Sequence, residues 1–177
     1  APYLIKIMQI SHLISSLERL TNKKVNLIEA ELKSEGYILI NLPFAKEQIS
    51  VLTDFLNFCF DKLQLRGTKL VIIKFVEGPH EQSGLETTAE YQDDNSKVNI
   101  YSADRKFIDI CRSIAHELVH KKQFDIGQGD AITIKTTHEG GEEGNSNYIP
   151  KLEDEANAIA GRLIRKFDKF HPEVYEL

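Results

Sequence analysis

The run "KLVIIKFVE" at residues 69–77 does most to limit how this chain can fold. Its β-branched residues and phenylalanine stand almost unbroken between Gly67 and Gly78-Pro79, as in a strand covered on both faces inside a sheet. Such a strand needs neighbours, and the flanking sequence supplies them. "YILINL" alternates and predicts a β element at 37–42, while "TTAEYQ" and "KVNIYS" flank the turn "DDNS" and predict a hairpin over 87–102. "AKEQISVLTDFLNFCFDKLQ" (45–64), opening just after Pro43, and "SHLISSLERL" near the N-terminus repeat apolar residues at three-and-four spacing, the mark of amphipathic helices. Residues 25–33 stay open between helix and strand: Asn26 with Glu29 resembles a capping box and Gly36 a C-cap, yet a strand follows directly.

Two further helices complete the pattern. "RKFIDICRSIAHELVHKKQF" (105–124) carries an apolar stripe at Phe107, Cys111, Ile114 and Leu118, with Ser102 or Asp104 expected as its cap and Gly127 as its stop. The last helix is expected to begin near Pro150 and to bury Leu152, Ala156, Ile159, Leu163, Phe167 and Phe170, until His171-Pro172 ends it. Its acidic start and basic end suit the helix dipole. Between the two helices, "EGGEEGNSN" (139–147) reads as a linker. The expected architecture is α+β, a small mixed β-sheet with packed helices. It forms a single domain over 1–177, with N-terminal accessory helices and a β element at 1–66 and a core at 67–177.

Composition removes several classes of function. With 41% apolar and 28% charged residues the chain is of the folded, soluble kind. A net charge of -5 without a Lys/Arg block lacks the electrostatic footprint of a nucleic-acid partner. No run approaches the roughly 18 apolar residues that span a bilayer, so no membrane partner is expected. "APYLIKIMQI" is broken by Lys6 and lacks a basic n-region and a cleavage site, so the expectation is a non-exported, cytoplasmic protein. Cys59 and Cys111 sit on apolar helical patterns and in no CxxC, and read as core thiols of a reducing compartment. Oligomeric state is not legible.

The chemistry lies in "AHELVHKKQ" (115–123). Residues four apart on a helix share a face, so His116 and His120 can present two imidazole nitrogens to one divalent metal about 2 Å from each. Glu117 is turned about 100° from His116, which suits it to take a proton from a metal-activated water better than to act as a ligand. Two histidines leave an open catalytic zinc site one protein ligand short. A metzincin would have Gly and His where this chain has Gln123 and Ile126, which removes that subclass. Candidates for the third ligand are Glu153, His138, Glu142, Glu143 and Asp154. Glu153 and Asn157 share one face of the last helix. His12, His80 and His171 have no sequence partners and are expected at the surface.

"HELVH" together with "EDEAN" resembles the gluzincin arrangement, most nearly that of ImmA/IrrE-type and other small gluzincins, over residues 87–165. The resemblance implies a zincin-like metallopeptidase fold and Zn2+ as cofactor. It implies Glu153 as the third ligand and Asn157 as the group that orients a ligand histidine, with a neutral hydrogen bond where an Asp would give a charged one. The activity it implies is that of a zinc metalloendopeptidase hydrolysing a peptide or protein substrate, with Glu117 as general base and one strand of the 87–102 hairpin as the edge that aligns substrate. Tyr148, five residues before Glu153, is placed to donate a hydrogen bond to an oxyanion, or to pack at the helix entrance. The rival is a non-catalytic or latent zincin-fold binding protein that engages a partner through a sheet edge or the acidic loop, the latent form masked by residues 1–66.

Overall fold

Alternation along the 69–77 run decides which way the sheet faces. In the computed structural model, which describes residues 36–78, 80–82, 85–126, 136–139 and 150–177, Val71, Ile73 and Phe75 turn into the core while Ile72, Lys74 and Val76 are half-buried on the other face. The described elements follow in the order β1 (Tyr37–Ile40), α1 (Lys46–Leu63), β2 (Val71–Val76), β3 (His80–Gln82), β4 (Leu85–Thr87), β5 (Ala89–Gln92), β6 (Lys97–Tyr101), α2 (Phe107–Asp125), β7 (Thr136–Glu139) and α3 (Pro150–Phe167). A short 3-10 turn, Pro172–Tyr175, closes the chain's described part. The main sheet is mixed, in the order β1-β2-β6-β5-β7, and β3 pairs with β4 in a separate ribbon. β1, β2 and β6 run parallel, whereas β5 is antiparallel to both β6 and β7.

One core joins these elements. Ala89 and Tyr91 of β5 and Val98 and Ile100 of β6 share a cluster with the buried residues of β2, α1 and α2. Helix α2 packs on β5, β6 and β7 and against both other helices. Phe44 meets Phe75 and Phe107 edge-on at 5.1 and 5.4 Å, and Phe55 meets Phe167 at 5.0 Å. Residues 36–63 therefore supply a strand and a helix to the same core, and the boundary drawn at residue 66 runs through it. Leu52, Phe55, Leu56 and Phe60 of α1 are fully buried, each contributing about 1.5–3 kcal/mol. The entry to β1 depends on Gly36: its φ is +86°, and an added Cβ would lie 2.8 Å from the Phe60 ring.

On the opposite face, β5 and β6 carry a polar network. Glu90 Oε1 accepts from Gln92 Nε2, Asn99 Nδ2 and the Tyr101 hydroxyl. Burial first, and the Glu90 carboxylate second, push the Tyr101 hydroxyl up to about 12.

Several expectations need correcting. Helix α2 begins at Phe107 with Lys106 as N-cap and no side-chain cap. Ser102 instead donates to the Val76 carbonyl at 3.4 Å, and Asp104 occupies a turn at φ 56°. Helix α3 ends at Phe167, and because the chain leaves helical geometry there, Phe170 projects into solvent at 77% exposure. Ile159 is only half-buried. His171 is not unpartnered: it stacks on Phe167 at 4.5 Å and pairs with Glu173 at 2.9 Å, holding that carboxyl below its usual range. The hairpin expected over 87–102 forms, but neither strand is an edge. β6 lies between β2 and β5, and β5 between β6 and β7, so β7, unforeseen in the sequence, takes the edge position. Cys59 and Cys111 are free and buried, and burial raises both thiols. Among the described residues no helix is long and apolar enough to cross a membrane.

Candidate metal centre

Helix α2 brings its two histidines to one point. Their rings meet edge-on with centroids 4.6 Å apart and their Nε2 atoms 2.9 Å apart. Helix α3 packs against α2 and delivers Glu153, whose two carboxylate oxygens each meet one histidine: Oε2 lies 3.0 Å from His116 Nε2 and Oε1 3.0 Å from His120 Nε2. All three side chains are buried, at 1%, 0% and 4% exposure, and among the described residues theirs is the group that could hold a metal. Burial works to raise the Glu153 carboxyl, but when both rings are protonated the hydrogen bonds from His116 and His120 and the charge of the two rings outweigh it and hold it at about 2.

The outer ring nitrogens are also fixed. His116 Nδ1 lies 3.1 Å from Asn157 Oδ1, one turn beyond Glu153 on α3. His120 Nδ1 lies 2.7 Å from Gln123 Oε1. An amide oxygen accepts, so in each case Nδ1 carries a proton, and in the neutral ring Nε2 keeps its lone pair for the shared point. Two neutral imidazoles with Nε2 turned inward and one carboxylate make the His2Glu donor set of open catalytic zinc sites. The donor separations of 2.9–3.0 Å are a few tenths short of the roughly 3.3 Å that tetrahedral bonds of about 2.0–2.1 Å require. The residues fit zinc after slight outward relaxation.

Glu117, between the histidines in sequence, is buried at 0% exposure. Lys121, one turn further on, is also fully buried and donates to Asp125 Oδ2 at 2.7 Å. Two surface cavities of about 410 Å³ each, one beside Phe44 and Arg105 and one beside Arg162 and Lys166, have none of His116, Glu117, His120 or Glu153 in their walls.

Of the residues singled out in the sequence, the structure brings His116, His120, Glu153 and Asn157 together. Tyr148, Glu142, Glu143, His12 and Gly127 lie outside the described residues. His138 lies on β7, opposite Glu90 of β5, rather than in a loop. Asp154, next to Glu153, faces away and is exposed. Gln123, which sequence reasoning used only to exclude a metzincin, contacts a histidine of the site. The signal for it was its position three residues after His120, on the same helix face. No protein-family model matches the chain, and no curated protein or solved structure is similar enough to assign it to a family.

Proposed function

We propose that the chain is a zinc-dependent peptidase with a zincin-like fold, and that His116, His120 and Glu153 hold the ion. The observation that carries this reading is the meeting of two Nε2 atoms and one carboxylate within 3.0 Å in a buried site, with both Nδ1 atoms held by amide oxygens. A surface cluster of the same residues would carry far less weight, because exposed charged groups meet without a ligand. A zinc ion held there supplies Lewis-acid polarisation of a peptide carbonyl and makes water nucleophilic near neutral pH. Glu117 takes the water's proton as general base and passes it to the departing amine. Edge strand β7 packs on α2, and an extended peptide or protein segment added to such an edge would be held through its backbone.

The test compares zinc-loaded wild type with Glu117→Gln on a peptide library. The variant should keep the wild-type zinc stoichiometry and lose at least about a hundredfold in hydrolysis, since an amide fills the same space but accepts no proton. Equal cleavage by both would overturn the base role.

A second reading rests on burial. His116, Glu117, His120 and Glu153 are all at most 4% exposed, which favours a closed, latent form. Residues 36–63 are built into the core, so of the 1–66 segment the stretch 1–35 is the candidate for the masking role. A chain starting at residue 36 that cleaves peptides left intact by the full chain would support latency.

A further inference from the structure

We propose that Gln123 is the positioning residue of the second histidine: it fixes the tautomer of His120 and ties that ring to the start of the helix that carries Glu153. The inference rests on the metal-site reading above and adds a residue to it.

Gln123 is buried at 3% exposure. Its amide oxygen lies 2.7 Å from His120 Nδ1, and its amide nitrogen donates to the Leu152 carbonyl at 3.0 Å and to Glu155 Oε2 at 2.9 Å. The two ends of an amide are alike in shape, so its partners decide the orientation. Here both partners on α3 are pure acceptors, a carbonyl and a carboxylate. Turning the amide over would set its oxygen against both and point its NH2 at the ring. The oxygen must therefore face His120, the Nδ1 opposite it must carry the proton, and Nε2 is left as the only lone pair for the point shared with His116 and Glu153. The chain that fixes His120 thus begins at Glu155 and Leu152, which flank Glu153 in sequence.

A purely structural role would not require this residue type. A buried amide costs desolvation unless its polar atoms are paired, and a methionine of similar length would fill the space without that cost. Asn157 plays the matching part for His116 from α3. Both rings are then oriented by neutral amides, which leaves them less basic than a carboxylate partner would. The direction of support differs: Asn157 reaches from α3 to α2, whereas Gln123 reaches from α2 back to α3, so the pair ties the two helices on either side of the ligands.

The test uses the full chain with Gln123→Met, which removes every hydrogen bond at near-equal length, and the double variant Gln123→Glu with Glu155→Gln, which restores an acceptor for Nδ1 and a donor to hold it while giving up the bond to the Leu152 carbonyl. Two readouts are taken: the ring-nitrogen NMR signature of His120 in metal-free protein at a pH where the ring is neutral, and zinc affinity by competition with a chromophoric chelator. Wild type should show His120 protonated on Nδ1. Gln123→Met should lose that preference and bind zinc roughly 10–100-fold more weakly, and the double variant should recover the signature and part of the affinity. Retention of the Nδ1–H signature and of zinc affinity within twofold in Gln123→Met would overturn the proposal. Equal losses in both variants, tracking equal falls in melting temperature, would also overturn it, because that is what packing alone gives. If wild type binds no zinc while the signature still depends on Gln123, the metal reading fails and the positioning of His120 stands.

Discussion

Replacing Ala156 by leucine tests whether the seating of α3 is what assembles the site. Ala156 is fully buried, at 0% exposure, three residues after Glu153 and one before Asn157. Leucine adds three carbons where the core has no room, and overpacking of this kind costs about 1–3 kcal/mol. For a chain of this size that is a fall in melting temperature of roughly 2–12 °C. Relief comes by moving α3 away from α2, and Glu153 and Asn157 move with it. Bonds of about 2.0–2.2 Å tolerate no shift approaching an ångström, so zinc affinity should fall at least about tenfold although no ligand has changed. Ala158→Leu, the same change at an exposed position of the same helix, is the control and should alter neither. Thermal unfolding of chelator-treated protein and zinc titration against a competing chelator read the two effects. Unchanged stability and affinity in Ala156→Leu, or lost stability with zinc affinity intact, would refute the reasoning.

Two further outcomes follow from single residues. Gly36→Ala combines a left-handed φ with a Cβ 2.8 Å from the Phe60 ring, so it should lower the unfolding free energy, read by denaturant titration, by more than the roughly 1 kcal/mol of an ordinary glycine substitution; no change would show that the β1 entry can relax. In metal-free protein the Glu153 carboxyl is lowered from 4.5 to about 2, so its contribution is fully present above about pH 4.5 and is lost as the pH falls towards about 2. Glu153→Gln should flatten the acid dependence of unfolding in that window, and matching profiles would contradict an ionised, histidine-bound carboxylate.

The elements with strong periodicity were legible in the sequence. Helices α1 and α2, the strand from 69–77 and the 87–102 hairpin all stand close to where apolar spacing places them, because each buries one regular face. Helix geometry paired the two histidines but left five candidates for the third ligand, and Glu153 was singled out by the gluzincin resemblance on the condition that α3 packs on α2. What stayed hidden depends on partners distant in sequence. "TTHE" (136–139) has neither apolar alternation nor a turn signal of its own, and becomes β7 only through its pairing with β5. That pairing removes β5 from the edge, so the error about β7 caused the error about the hairpin. Gln123 looked like one polar residue among lysines, since its acceptors Leu152 and Glu155 come from the other helix. His171 has one such distant neighbour, Asp54 on α1, but Glu173 and Phe167 lie within four residues of it and were overlooked.

The central claim is that His116, His120 and Glu153 hold one zinc ion. Anomalous diffraction at the zinc absorption edge, on crystals of chelator-stripped protein given one equivalent of zinc, tests it most directly. The account predicts a single strong peak about 2.0–2.2 Å from both Nε2 atoms and from a Glu153 oxygen. A peak at other residues, with His138 as a ligand in place of Glu153, or no ordered zinc between the two histidines, would contradict it.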